Sequence, residues 1–280
     1  MRKIQTDDLI PIIKDLCKKA CYELEIELVD KLKESFEEEE SKLGKEVLDE
    51  LIHNAEYAKE NQIACCQDTG ITFVHMEIGQ GVVWEGMYLN DAVNEGVRQG
   101  YGEGYLRKSV VGDPLIRENT GDNTPAVIRT DIVEGDKVKI VVMPKGAGSE
   151  NMSRLKMLTP ADGSEGIKKF VLETIKLAGG KACPPLIVGV GIGGTMDHAA
   201  WLSKKALQRP LGEANKAGHL MKLELELLEE INKTGIGPLG LGGRVTALDV
   251  NIETFPCHIA SLPVSVNIQC NSSRHATETI

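Results

Sequence analysis

Cys65-Cys66-Gln67-Asp68-Thr69-Gly70 sets two thiols, an amide, a carboxylate and a hydroxyl in a row and closes them on a glycine. Upstream, Val47, Leu48, Leu51 and Ile52 recur at helical spacing, in a helix expected over about Glu46 to Asn61. Downstream, Ile71-Thr72-Phe73-Val74-His75-Met76 reads as a strand. The stretch is therefore a helix-to-strand turn, and its polarity makes it poor material for a core. Such a turn suits the presentation of side chains to a ligand or a metal.

Working outward, the first sixty residues read as helices. One follows Thr6-Asp7-Asp8, and a second runs from Ile26 to Leu43 with Glu37-Glu38-Glu39-Glu40 as a solvated face. Gly44 is expected to break the pattern before the third helix. Beyond the turn, a helix is expected over Asn90 to Gly100. Residues 126–133 and 137–143 flank Glu134-Gly135-Asp136 as a hairpin. Helices then follow at Ser164–Leu177, Met196–Leu207 and Leu220–Ile231. Short strands end near Val188 and cover Val245–Ile252 and Pro263–Cys270. The alternation predicts an α/β fold, a mixed sheet with helices, in one domain over 1–280 whose residues 1–62 are mainly helical.

The 280 residues are 41% hydrophobic and 26% charged, ordinary values for a globular chain with a sizeable core. No run approaches the roughly 18 apolar residues that span a bilayer, and the first residues lack a secretory apolar region. No membrane partner and a cytoplasmic location are expected. The formal charge of -10 argues against nucleic acid, which needs a basic surface. It leaves room for a small anionic substrate, because a few local arginines can make a positive pocket. Aromatic residues are only 4%, too few for base-stacking platforms.

Gly189-Val190-Gly191-Ile192-Gly193-Gly194 matches a dinucleotide fingerprint between a strand and a helix. The second strand with its acidic end is missing, since Arg209-Pro210-Leu211-Gly212-Glu213 follows at that distance. Nicotinamide binding is disfavoured on that ground.

Seven cysteines, with no C-x-x-C pair, fit neither a disulfide framework nor a zinc ribbon. Cys17 and Cys21 share one helix face and read as buried core thiols. Cys66, Cys183 and Cys270 sit at loop or strand edges beside Gln-Asp, Pro-Pro and Asn-Ser-Ser-Arg. Spacing alone leaves them open as unconnected thiols or as one ligand set.

Cys66-Gln67-Asp68-Thr69-Gly70, Asn119-Thr120-Gly121-Asp122-Asn123-Thr124-Pro125-Ala126, Lys145-Gly146-Ala147-Gly148-Ser149-Glu150-Asn151, Ala182-Cys183-Pro184-Pro185 and Gly193-Gly194-Thr195 occur in this order. Together with Pro256-Cys257-His258 and Cys270, they resemble the class I (iron–sulfur) fumarate hydratases over nearly the whole chain. The match is to the alpha subunit of the two-subunit form, and L-tartrate dehydratase alpha subunits look similar.

The resemblance implies a [4Fe-4S] cluster held by Cys66, Cys183 and Cys270. Three thiolates would leave one iron open as a Lewis acid. It implies substrate contacts at Gln67, Asp68, Arg107 and Gly148, with His258 and Asp68 as catalytic groups. Arginine clamps a carboxylate in two-pronged fashion, and histidine can orient or protonate a leaving hydroxyl. A small dicarboxylate substrate, a higher oligomer and a beta subunit carrying the catalytic base are implied as well. The glycine loop departs from the family pattern at Ala147, which matters only if that position needs positive φ. The expected activity is reversible hydration of fumarate to (S)-malate. Its rivals are L-tartrate dehydration, a cluster-based redox or sensor protein, and a dehydrogenase.

Overall fold

The computed structural model describes residues 1–280. In chain order the elements begin with β1 (Arg2–Gln5), α1 (Leu9–Tyr22), α2 (Ile26–Glu38), α3 (Lys42–Asn61), β2 (Ile71–Gly79), β3 (Val82–Glu85) and α4 (Leu89–Glu103). The middle holds β4 (Val127–Val133), β5 (Val138–Lys145), α5 (Ala147–Glu150), β6 (Arg154–Leu158) and α6 (Gly163–Ala178). The rest is β7 (Leu186–Gly193), α7 (Met196–Ala206), α8 (Gly218–Asn232), β8 (Ala247–Phe255), β9 (Leu262–Gln269) and β10 (Ala276–Thr279). The fold is α/β with mixed sheets. No helix is long and apolar enough to cross a membrane.

Two compact units emerge. The first comprises Met1–Glu25, Ala55–Ala147 and Arg274–Ile280; the second comprises Ile26–Asn54 and Gly148–Ser273.

In the first unit a four-stranded sheet runs β10-β5-β2-β4. This corrects the expected hairpin: β4 and β5 do not pair, because β2 lies between them. β2 is parallel to β4 and antiparallel to β5. The physical reason is burial. Val74, Met76 and Ile78 of β2 are core residues, so that strand needs partners on both edges, whereas β4 is largely exposed and suits an edge. The 134–136 connection instead crosses the end of β2, where the Gly79 N–H donates to the Lys137 carbonyl at 2.8 Å.

Leu9, Ile13, Leu16, Cys17 and Ala20 form the apolar stripe of α1, and it packs with Val93 and Val97 of α4 on Val74, Met76, Ile140 and Val142. Gly96 lets the two helices close: a Cβ there would stand 2.8 Å from Cβ of Ile13 and 2.9 Å from the Ile10 carbonyl oxygen.

In the second unit the sheet order is β6-β9-β7-β8, with β7 parallel to β8 and antiparallel to β9. Alternation divides β7. Val188 and Val190 join the core with Phe170 and Val171 of α6 and with Leu227 and Ile231 of α8. Each fully buried valine contributes about 1.5–3 kcal/mol. On the other face, α7 lies so close that a Cβ on Gly189 or Gly191 would run into the Ser203 or Ala199 carbonyl. Gly189 and Gly191 of the fingerprint-like run therefore serve helix–strand packing.

The acidic run and Gly44 also depart from expectation. α2 ends at Glu38, and Ser41 caps α3 by accepting the Gly44 N–H at 3.2 Å. Glu39 is 2% exposed and belongs to no solvated face. Its carboxylate accepts the backbone N–H groups of Glu40, Ser41, Arg244 and Val245 at 2.8–2.9 Å. Gly44 sits inside α3 because a Cβ would fall 2.9 Å from Cγ of Glu39.

Candidate active site

The turn at 65–70 is pinned from several directions within the first unit. The Cys65 N–H donates to the carbonyl of Cys21 at 3.0 Å, tying the turn to the end of α1. Tyr101 Oη donates to the Thr69 carbonyl at 2.7 Å, and Asn123 Nδ2 donates to the Gly70 carbonyl at 3.2 Å. Gly70 has φ 72°, and a Cβ there would meet the Lys145 backbone at 2.5 Å, so only glycine fits.

Asp68 clasps this turn to the glycine loop. Its Oδ1 accepts the Gly70 N–H at 3.0 Å and its Oδ2 accepts the Ala147 N–H at 2.9 Å. Ala147 is outside the positive-φ residues and opens α5, so the departure from glycine is accommodated. Thr69 Oγ1 donates to the Arg107 carbonyl at 3.0 Å, which sets Arg107 beside the turn with its side chain exposed. The first unit thus gathers half-buried Cys66 and Asp68 with exposed Gln67 and Arg107.

Sequence reasoning missed Arg274. It is 2% exposed, donates from Nη2 to the Asp68 carbonyl, and places Nη1 4.0 Å from Cys65 Sγ. A buried cation thus holds the main chain of Asp68 in a turn of which only Gln67 is fully exposed. The one sequence signal was its place four residues after Cys270.

The second unit gathers Gly148, Cys183 and Cys270. A Cβ on Gly148 would stand 3.2 Å from the Lys181 carbonyl oxygen, two residues before Cys183. Both the N–H and Nδ2 of Asn271 donate to the Cys183 carbonyl, at 3.1 and 2.8 Å, which joins the loops carrying Cys183 and Cys270. Ser153 Oγ accepts the Ile268 N–H at 3.1 Å and anchors the segment after α5 to β9.

His258 lies elsewhere in this unit. Ile187 pairs with Gln269 at one end of the sheet, and Gly193 pairs with Phe255 at the other. Cys183 and Cys270 flank the first end and His258 follows the second, roughly 20 Å away along strands rising about 3.3 Å per residue. There His258 lines a cleft of about 480 Å³ with Cys257, His198 and Asp197. The fold does not bring His258 to the Cys183 and Cys270 loops.

The seven thiols sort by environment. No disulfide links them; Cys17, Cys21 and Cys65 are buried, Cys66 and Cys270 half-buried, and Cys183 and Cys257 exposed. Burial pushes the Cys21 thiol up to about 12 despite the nearby Arg274 guanidinium, so it stays protonated and inert. Cys66, Cys183 and Cys270 are accessible thiols on turns, the donor type and setting an iron–sulfur cluster needs. Within neither unit do three or more His, Cys, Asp or Glu side chains converge to hold a metal ion. Cys66 belongs to the first unit and the other two cysteines to the second.

Comparison with known proteins agrees with the motif reading. The model of the fumarate hydratase (Fumerase) family matches residues 10–279. A Methanocaldococcus jannaschii protein named "Putative L(+)-tartrate dehydratase subunit alpha" is 47% identical over 275 residues, 96% of each chain. The L(+)-tartrate dehydratase subunit alpha of Escherichia coli (strain K12) is 34% identical over 254 residues, 90% of this chain and 84% of that one. With a family model spanning almost the full length and relatives this similar, the chain belongs to the fumarate hydratase family and is a hydro-lyase of its class I branch.

Proposed function

We propose that the chain is the alpha subunit of a [4Fe-4S]-dependent hydro-lyase that reversibly hydrates fumarate to (S)-malate, completed by a beta subunit that carries the catalytic base. The family match across residues 10–279, which includes the Cys66-Gln67-Asp68 turn, supports this reading most directly. Cys66, Cys183 and Cys270 would hold the cluster. When bound, it supplies an open Lewis-acidic iron at which a poor hydroxide leaving group is stabilised.

The chain's own residues do the rest of the binding. Arg107, exposed and fixed through its main chain, is the clamp for a substrate carboxylate. Gln67 offers an amide donor, and Gly148 offers an unshielded backbone N–H. Asp68 shares its carboxylate between Gly70 and Ala147, so its first task is to hold the turn that presents Cys66 and Gln67. His258 stays outside the proposed set because of its place at the other sheet end. A higher oligomer and a cytoplasmic setting complete the proposal.

A second reading, L(+)-tartrate dehydration, is favoured by the names of the relatives. It keeps the elimination of water and changes the substrate by one hydroxyl. One experiment separates the two. The chain is reconstituted anaerobically with iron and sulfide, joined to its beta partner, and supplied with each substrate while fumarate absorbance and oxaloacetate are followed. Fumarate turnover that requires both chains supports the first reading, and turnover of L-tartrate alone supports the second. A loaded pair that turns over neither overturns both.

A further inference from the structure

We propose that Asn271 is a positioning residue that sets the Cys183 turn beside Cys270, an inference that rests on the cluster reading above. Cys183 has φ 54° and ψ 65°, the left-handed region, which a residue with a Cβ occupies only when its surroundings hold it there. Asn271 supplies much of that hold. Its N–H and its Nδ2 both donate to the one carbonyl oxygen of Cys183, at 3.1 and 2.8 Å. Ser272 Oγ donates to Asn271 Oδ1 at 3.1 Å, which assigns the amide with its oxygen toward Ser272 and its nitrogen toward Cys183.

Asn271 and Ser272 are 6% and 8% exposed, so water does not compete for these bonds. On the other side of the turn, the Leu239 N–H donates to the Pro184 carbonyl at 2.8 Å. Because Asn271 is bonded directly to Cys270, the amide couples the two ligand loops: neither cysteine can shift its main chain without straining the other. Residues that orient a ligand without touching the metal govern how tightly the metal is kept. Aspartate has the same shape but no amide donor, and would set a carboxylate oxygen against the Cys183 carbonyl.

The test uses the full chain, purified anaerobically, as wild type, Asn271→Asp, Asn271→Ala and Ser272→Ala. Hydrogen–deuterium exchange over residues 179–185 is measured without the cluster. After reconstitution, iron and sulfide per chain, the rate of iron loss to a chelator, and the electron paramagnetic resonance of the reduced cluster are recorded. Both Asn271 variants are expected to exchange faster at 179–185, to lose iron about tenfold faster or more, and to show altered resonance. Ser272→Ala, which only frees the amide to rotate, is expected to fall between them and wild type. An Asn271→Asp chain that matches wild type in exchange, iron loss and resonance overturns the inference while leaving the cluster reading intact. A wild-type chain that takes up no iron overturns the cluster reading, and the role of Asn271 falls with it.

Discussion

The carboxylate of Glu39 accepts the backbone N–H of Val245 at 2.8 Å, across 206 positions of sequence, in a pocket that leaves Glu39 2% exposed. Burial raises the Glu39 pKa, and the backbone N–H donors outweigh it and hold the group below its ordinary value of 4.5. The folded state therefore prefers the carboxylate. Its stabilisation is complete above about pH 4.5 and is lost as pH falls through the lowered folded value. Glu39→Gln should remove that acid dependence and cost roughly 3 kcal/mol at neutral pH, by leaving N–H donors poorly matched. Denaturant unfolding of both chains between pH 3 and 7 checks it; parallel stability curves would refute it.

The thiols should divide as their environments do. Cys66→Ser, Cys183→Ser and Cys270→Ser are expected to abolish stable iron–sulfur loading. Cys257→Ser is expected to leave iron and sulfide content at the wild-type level, because Cys257 shares the far sheet end with His258. Metal analysis after anaerobic reconstitution decides the matter. A Cys257 variant that loses its iron would undo the assignment.

Arg107 and His258 should behave oppositely. Arg107→Ala is expected to raise KM for the dicarboxylate by about 10- to 100-fold with unchanged unfolding midpoint, since the fold uses only its carbonyl. His258→Ala is expected to retain full iron content and a similar KM. Steady-state kinetics with the beta partner present measures both.

Gly96→Val should destabilise the first unit by about 1–3 kcal/mol, because the added carbons have only the Ile10 main chain and Ile13 to displace. Gly191→Ala should do the same for the second unit against α7. Neither the Gly191 variant nor wild type should bind a nicotinamide nucleotide in a fluorescence titration, since α7 covers Gly189 and Gly191.

Much of this was legible from periodicity. The helices over α1, α4, α6, α7 and α8 and the strand after the cysteine turn follow from local pattern, as did burial of Cys17 and Cys21. The errors came from non-local partners. Nothing within 126–143 says that a strand from residues 71–79 will lie between its two arms. Glu39 looks like its exposed neighbours until the 243–245 backbone arrives, and only then does Gly44 read as a packing glycine. Of the proposed site, the cysteines, Gln67, Asp68 and Arg107 were nameable as candidates through the family resemblance. Arg274 and Asn271 were not, because their roles consist of bonds to main-chain carbonyls that carry no residue signature.

The strand order of the first unit also has a consequence in time. β10, at Ala276–Thr279, pairs antiparallel with β5, and its Ala276 sits in the same core as Val142. A ribosome makes β2, β4 and β5 early, then some 130 residues of other structure before β10 emerges. Throughout that interval the β5 edge stands open as a template for another chain. The sheet of the first unit is thus completed only after every strand of the second unit has been made.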